Sequence, residues 1–119
     1  MRRGRWLIFA TFTLIISACD TRTNAFDSAA AYCEDVTFET SWLATGRSLF
    51  RTYCTSCHSI EADERFGAPE GVDFDTEQDV RNWEERIITR VLEEATMPLG
   101  GGIPADDLEL FRIYMECGL

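Results

Sequence analysis

Cys54-Thr55-Ser56-Cys57-His58 places two thiols and the only imidazole of the chain within little more than one helical turn, and any fold for this sequence has to present that turn. A single histidine also excludes every mechanism that needs two imidazoles from one chain. The run follows directly on a helical stripe, because Trp42, Leu43, Gly46, Leu49, Phe50 and Tyr53 fall on one face at the helical period. Thr40 or Ser41 suits the start of that helix. A second stripe, Val80, Trp83, Ile87, Ile88, Val91, Leu92 and Ala95, predicts a helix over 76–95. Asp75 or Thr76 is its expected cap, with Glu77 and Asp79 well placed against the dipole in the first turn. A third helix is expected from Pro104, a good first-turn residue, through Leu108, Leu110, Phe111, Ile113, Tyr114 and Met115 to a left-handed stop at Gly118. An acidic loop with Gly and Pro, 59–75, and the segment 97–104 connect the three. No stretch alternates with period two long enough to argue a sheet, so the expected fold class is all-α.

With 119 residues there is room for one small domain, and a hydrophobic content of 45% separates the chain from disordered tails and multi-span membrane proteins. Three helices of this size bury little apolar surface, and such domains usually carry a metal, a cofactor or disulfides as a staple. Charge is lopsided, with 11 Arg, no Lys and a formal net −10. Nucleic-acid binding needs cations to displace counterions from phosphates and is disfavoured.

Arg2, Arg3 and Arg5 precede an apolar run from Trp6 to Ala18, too short for a bilayer-spanning helix and organised like an export signal. Its end, Leu14-Ile15-Ile16-Ser17-Ala18-Cys19, resembles a bacterial lipobox. That resemblance implies a signal peptide over 1–18 and acylation of Cys19, with several acyl chains holding the protein on a membrane. Asp20 resembles an inner-membrane retention signal, so the expected place is the periplasmic side of a bacterial inner membrane rather than the outer one; a soluble secreted form is the alternative. Residues 19–32 then form a tether and 33–119 the domain. Loss of 1–18 leaves 8 Arg against 21 acids, a formal −13. Most of that charge is a solvated surface, and a docking partner would present a basic face.

C-x-x-C-H is the pattern of covalent haem attachment. Residues three apart on a helical turn share a face, so both thiols reach one edge of a porphyrin and the next residue sets its imidazole over the iron. Cys54 and Cys57 would form thioethers and His58 would be an axial ligand. A zinc site would want further cysteines or histidines at zinc spacing. A dithiol redox site would want a strand-to-helix context. Export agrees with haem attachment, which takes place outside the cytoplasm.

With no second histidine, methionine is the natural sixth ligand. Met115 lies mid-helix on the apolar stripe, where core packing explains it. Met97 lies beyond a helix end, with Pro98 biasing it away from helical geometry and Gly100-Gly101-Gly102 permitting backbone to pass close over a flat surface. Arg81, Arg86 and Arg90 are expected to pair with acids such as Glu85 or Glu94; one of them, or the Trp83 indole, is a candidate partner for a haem propionate.

Gly46 and Phe50 ahead of Cys54-x-x-Cys57-His58, then Met97-Pro98, then an aromatic terminal helix around Tyr114, together resemble the class I c-type cytochromes over residues 40–119. The resemblance implies a bundle of three main helices around one covalent haem c, with Gly46 and Phe50 packed against Phe111 or Tyr114. The chain departs from well-known soluble members in lacking lysine, and in lacking a proline soon after the histidine; Pro69 stands eleven residues on, which leaves the partner of His58 Nδ1 unassigned. With Cys19 given to lipid and Cys54 and Cys57 to haem, Cys33 and Cys117 remain, and a disulfide between them would contribute about 4 kcal/mol on loop-entropy grounds.

The expected function is one-electron transfer between redox partners, with no small-molecule substrate and no catalysis of its own. The alternatives are a haem enzyme or sensor with an open sixth position, a fixed cytochrome subunit of a larger oxidoreductase, and a dithiol lipoprotein.

Overall fold

The computed structural model describes residues 32–119. The signal segment 1–18, Cys19 and the tether up to residue 31 lie outside the described residues. Among those described there are three main helical stretches, a short helical piece at 32–34 and no strand, an all-α architecture, and no helix is long and apolar enough to cross a membrane.

The first helix, α1, is Arg47–Tyr53, led in by a wider π-helical turn over Trp42–Gly46. Ser41 is the cap, its side chain accepting from the Ala44 N–H. The middle stretch comprises α2, Glu77–Asn82, and α3, Glu84–Ile87, which runs on in π-helical form over Ile88–Glu93. Thr76 starts it with a reciprocal capping box: its hydroxyl takes the Asp79 N–H, and the Asp79 carboxylate takes the Thr76 N–H. The last, α4, is Ala105–Ile113 and continues as a π-helical turn over Tyr114–Gly118.

Four local expectations need correction. The middle helix is interrupted at Trp83 (φ −118°, ψ 11°), which is 36% exposed rather than seated on the stripe. Ala95 does not extend that stripe: it is left-handed at φ 50° and follows the helix end. Pro104 caps α4 from outside instead of standing in its first turn. Gly118 is not a left-handed stop; it lies in the last helical turn, where a Cβ would overlap the Thr40 carbonyl and crowd the Tyr114 ring.

The core is Leu49, Phe50, Phe74, Val80, Ile87, Val91, Phe111, Tyr114 and Met115. Its centre is the crossing of the first and terminal helical stretches. A Cβ on Gly46 would overlap the Tyr114 ring, so only glycine lets the two backbones approach this closely. Phe50 fills the space below, 5.2 Å from Phe111 and 6.1 Å from Tyr114 between ring centroids. Phe50, Phe111 and Tyr114 have no exposed surface, and each large side chain buried this way is worth several kcal/mol against truncation. Met115 is buried in this core. The sulfurs of Cys33 and Cys117 lie at disulfide distance with Cα atoms 5.5 Å apart, bringing the segment before α1 to the end of the terminal helix. Tyr32 adds a second tie, its hydroxyl donating to Glu109 Oε1 over 2.6 Å.

Candidate functional site

The turn Cys54–His58 is an unwinding of α1. The Cys54 and Thr55 N–H groups both reach back to the Phe50 carbonyl (2.8 and 3.0 Å), and the Cys57 and His58 N–H groups then both close on the Cys54 carbonyl (3.1 and 2.9 Å). Cys54, Cys57 and His58 are half-buried, and both thiols are free. Burial pushes the Cys54 thiol up to about 12, with the neighbouring Cys57 adding to the shift. Burial thus disfavours the Cys54 thiolate, the reactive form of a redox thiol.

His58 is held from two sides. Its ring stacks on buried Phe74, centroids 4.8 Å apart and planes 30° apart. Its Nδ1 lies 2.8 Å from the Val72 carbonyl oxygen. A carbonyl can only accept, so Nδ1 carries the proton and a neutral ring keeps its lone pair on Nε2. The backbone partner that the sequence left unassigned therefore comes from Val72, fourteen residues after the histidine.

The loop 59–75 exists to deliver that carbonyl. The Phe74 N–H donates to the His58 carbonyl over 2.9 Å, tying the two ends of the loop together. Asp75 accepts from the Ser59 hydroxyl (2.6 Å) and the Ile60 N–H (2.9 Å). Inside the loop sits Arg65, with all five of its N–H groups used. Nε donates to the Ala68 carbonyl; one terminal nitrogen serves the Ser59 carbonyl and the Asp73 carboxylate (2.8 and 2.6 Å); the other serves the Pro69 and Val72 carbonyls (2.7 and 3.2 Å). Arg65 is the residue that sequence reasoning missed. The available signal was its isolation, since it is the only cation in a loop with six acids.

Met97 lies outside the helix, as its neighbouring proline suggests. It is half-buried against the core, joined to Pro98 by a cis peptide, and its N–H donates to the Arg90 carbonyl over 3.0 Å, beside the Thr96 N–H at 2.8 Å. Gly100, Gly101 and Gly102 all have positive φ (87°, 70° and 103°), a left-handed backbone that glycine adopts without strain, and among the described residues nothing comes within 4 Å of where their Cβ atoms would be. Of the arginines on the middle stretch, Arg81 pairs with Glu77 and Arg90 with Glu94, not with Glu85.

Among the described residues no three His, Cys, Asp or Glu side chains gather as a metal site. What the turn does offer is two free thiols three residues apart and one imidazole of fixed tautomer, a donor set that could hold a porphyrin through its edge and its iron together. Comparison with protein-family models, with curated proteins and with solved structures finds no match to this chain.

Proposed function

We propose that the chain is a lipid-anchored, single-haem c-type cytochrome that carries one electron between redox partners on the periplasmic side of a bacterial inner membrane. The observation that carries this reading is the His58 Nδ1–Val72 carbonyl bond, 2.8 Å long, beside the C-x-x-C pair. Metal-ligating histidines donate their other ring N–H to a fixed acceptor, which orients the ring and raises its basicity. An imidazole held this way next to two unpaired thiols has its Nε2 lone pair available for iron.

When bound, haem supplies a one-electron couple at its iron. The residues of the chain have distinct tasks around it. Cys54 and Cys57 would hold the porphyrin through thioethers, and His58 Nε2 and Met97 would ligate its iron, Met97 from a place beyond the middle helix where its N–H is tied to the Arg90 carbonyl. The crossing of the first and terminal helices gives the attachment turn an unyielding base, because Phe50, on whose carbonyl that turn closes, is wedged between Phe111 and Tyr114. Neither a general acid–base pair nor a substrate is required. Cys19 anchors the chain, Cys33 and Cys117 form a disulfide, and the formal −13 left after export favours redox partners with a basic face.

Denaturing electrophoresis of the exported protein with haem staining tests the attachment: the polypeptide stains, and a colourless product whose mass lacks the prosthetic group overturns the reading. Met97→Ala tests the sixth position. It leaves haem attached, lowers the reduction potential and abolishes the weak methionine-to-iron absorption near the red. An unchanged spectrum would assign the sixth position elsewhere.

A further inference from the structure

Arg65 spends every donor it has, and four of its five acceptors are main-chain carbonyls of the loop that follows the attachment turn. Such saturation is unusual for a side chain that still has 21% of its surface exposed, where water is the easy partner. The fifth acceptor, Asp73, is itself mostly covered and keeps the guanidinium from swinging out. One target stands apart from the others. The Val72 carbonyl receives both an Arg65 N–H, at 3.2 Å, and the His58 Nδ1–H, at 2.8 Å, one on each lone pair.

We infer that Arg65 is the positioning residue for His58: its guanidinium clamps the Val72 carbonyl, fixing where the imidazole ring points and moderating how strongly Nδ1–H is pulled. This rests on the reading of His58 as an iron ligand only for its effect on potential; the clamp itself needs nothing but the imidazole and the loop. The physics has two parts. A planar fork that bridges residues 59, 68, 69, 72 and 73 removes the freedom of the loop to rotate the Val72 carbonyl away from the ring. A cation on the second lone pair also draws electron density from that oxygen, so the carbonyl takes less of the Nδ1 proton and Nε2 stays a milder donor. A lysine cannot replace it, because one ammonium has three donors on a flexible stem and cannot span the same carbonyls. Asp73 acts one step further out, by holding Arg65.

The test compares the mature protein with Arg65→Gln, Arg65→Lys and Asp73→Asn, and uses Arg112→Gln, an exposed arginine paired with Glu109, as the control. The primary readout is solvent exchange of the His58 Nδ1 proton, measured by NMR on the reduced, diamagnetic protein; the second is the midpoint potential. Exchange is expected to speed up by about tenfold in Arg65→Gln, the order of what one lost charge-assisted hydrogen bond is worth. It should speed up less in Arg65→Lys and less again in Asp73→Asn, and stay unchanged in Arg112→Gln. The potential should shift in the same order across the series. Wild-type exchange at Nδ1 in both Arg65 variants overturns the inference. If Arg65→Gln does not accumulate, Arg65→Lys and Asp73→Asn decide by the same criterion. Should the mature protein prove to hold no haem, which mass alone reveals, the functional reading falls; the Nδ1 exchange comparison on that same material still decides the clamp.

Discussion

The helix crossing at Gly46 and the loop around Arg65 both bear on the Cys54–His58 turn, and they do it by opposite means. At the crossing, Phe50, Phe111 and Tyr114 are wholly buried and meet through ring faces and edges. In the loop 59–75 only Ser59 and Phe74 are buried, and the structure rests on hydrogen bonds to one guanidinium and one carboxylate, Asp75. Apolar burial supplies large energies with little directional content. Charge-assisted hydrogen bonds supply smaller energies with strict direction. The crossing therefore decides whether the domain stands, and the loop decides where one imidazole points.

Truncation at the crossing should be the most damaging. Phe111→Ala is expected to cost about 3–5 kcal/mol in denaturant unfolding, because its neighbours cannot collapse into so central a hole. Gly46→Ala comes next, at about 1–3 kcal/mol, since the new methyl forces the Tyr114 ring from its place. Asp75→Ala in the loop should cost about 1–3 kcal/mol by stranding the Ser59 hydroxyl and the Ile60 N–H, with faster amide exchange confined to the loop. If the Asp75 variant lost more stability than the Phe111 one, the contrast between the two regions would be reversed.

Tyr114 sharpens the comparison from within the crossing. Its hydroxyl is buried and finds no partner among the described residues, so Tyr114→Phe should be neutral or stabilising by about 1 kcal/mol. Burial also pushes its pKa up from 10.0 to about 12. The folded phenol thus keeps its proton where the unfolded one has lost it. Its contribution is complete below pH 10 and drains away as the pH climbs toward 12. Alkaline unfolding followed by tyrosinate absorbance should show this loss in the wild type and a shallower one in Tyr114→Phe. At the small end, Arg81→Ala should cost no more than about 0.5 kcal/mol, as befits an exposed i,i+4 pair.

The helices of the crossing were legible in advance because their apolar spacing is written in side chains. That Gly46 and Phe50 would meet Phe111 or Tyr114 came from the resemblance and not from periodicity. Of the two expected caps, Asp75 and Thr76, the structure uses Thr76. The loop was opaque for the converse reason. Arg65 addresses carbonyls at residues 59, 68, 69 and 72, and every residue has a carbonyl, so the sequence holds no mark of which ones are chosen. The break at Trp83 escaped notice because nothing in Asn82-Trp83-Glu84 forbids a helix, and the left-handed Ala95 because alanine, a strong helix former, carries no signal for that conformation. Gly118, expected only as a helix stop, instead makes room for the Thr40 carbonyl, with the Tyr114 ring that Gly46 also admits lying beside it.

The run Gly100-Gly101-Gly102 has an unusual corollary. Its backbone winds in the mirror sense, and no described residue comes within 4 Å of where the missing Cβ atoms would be. An L-alanine there meets its obstacle in its own stereochemistry, not in any described neighbour. Semisynthetic insertion of D-alanine at position 101 should therefore be accepted, and by restricting the unfolded chain it should leave the fold firmer than glycine does.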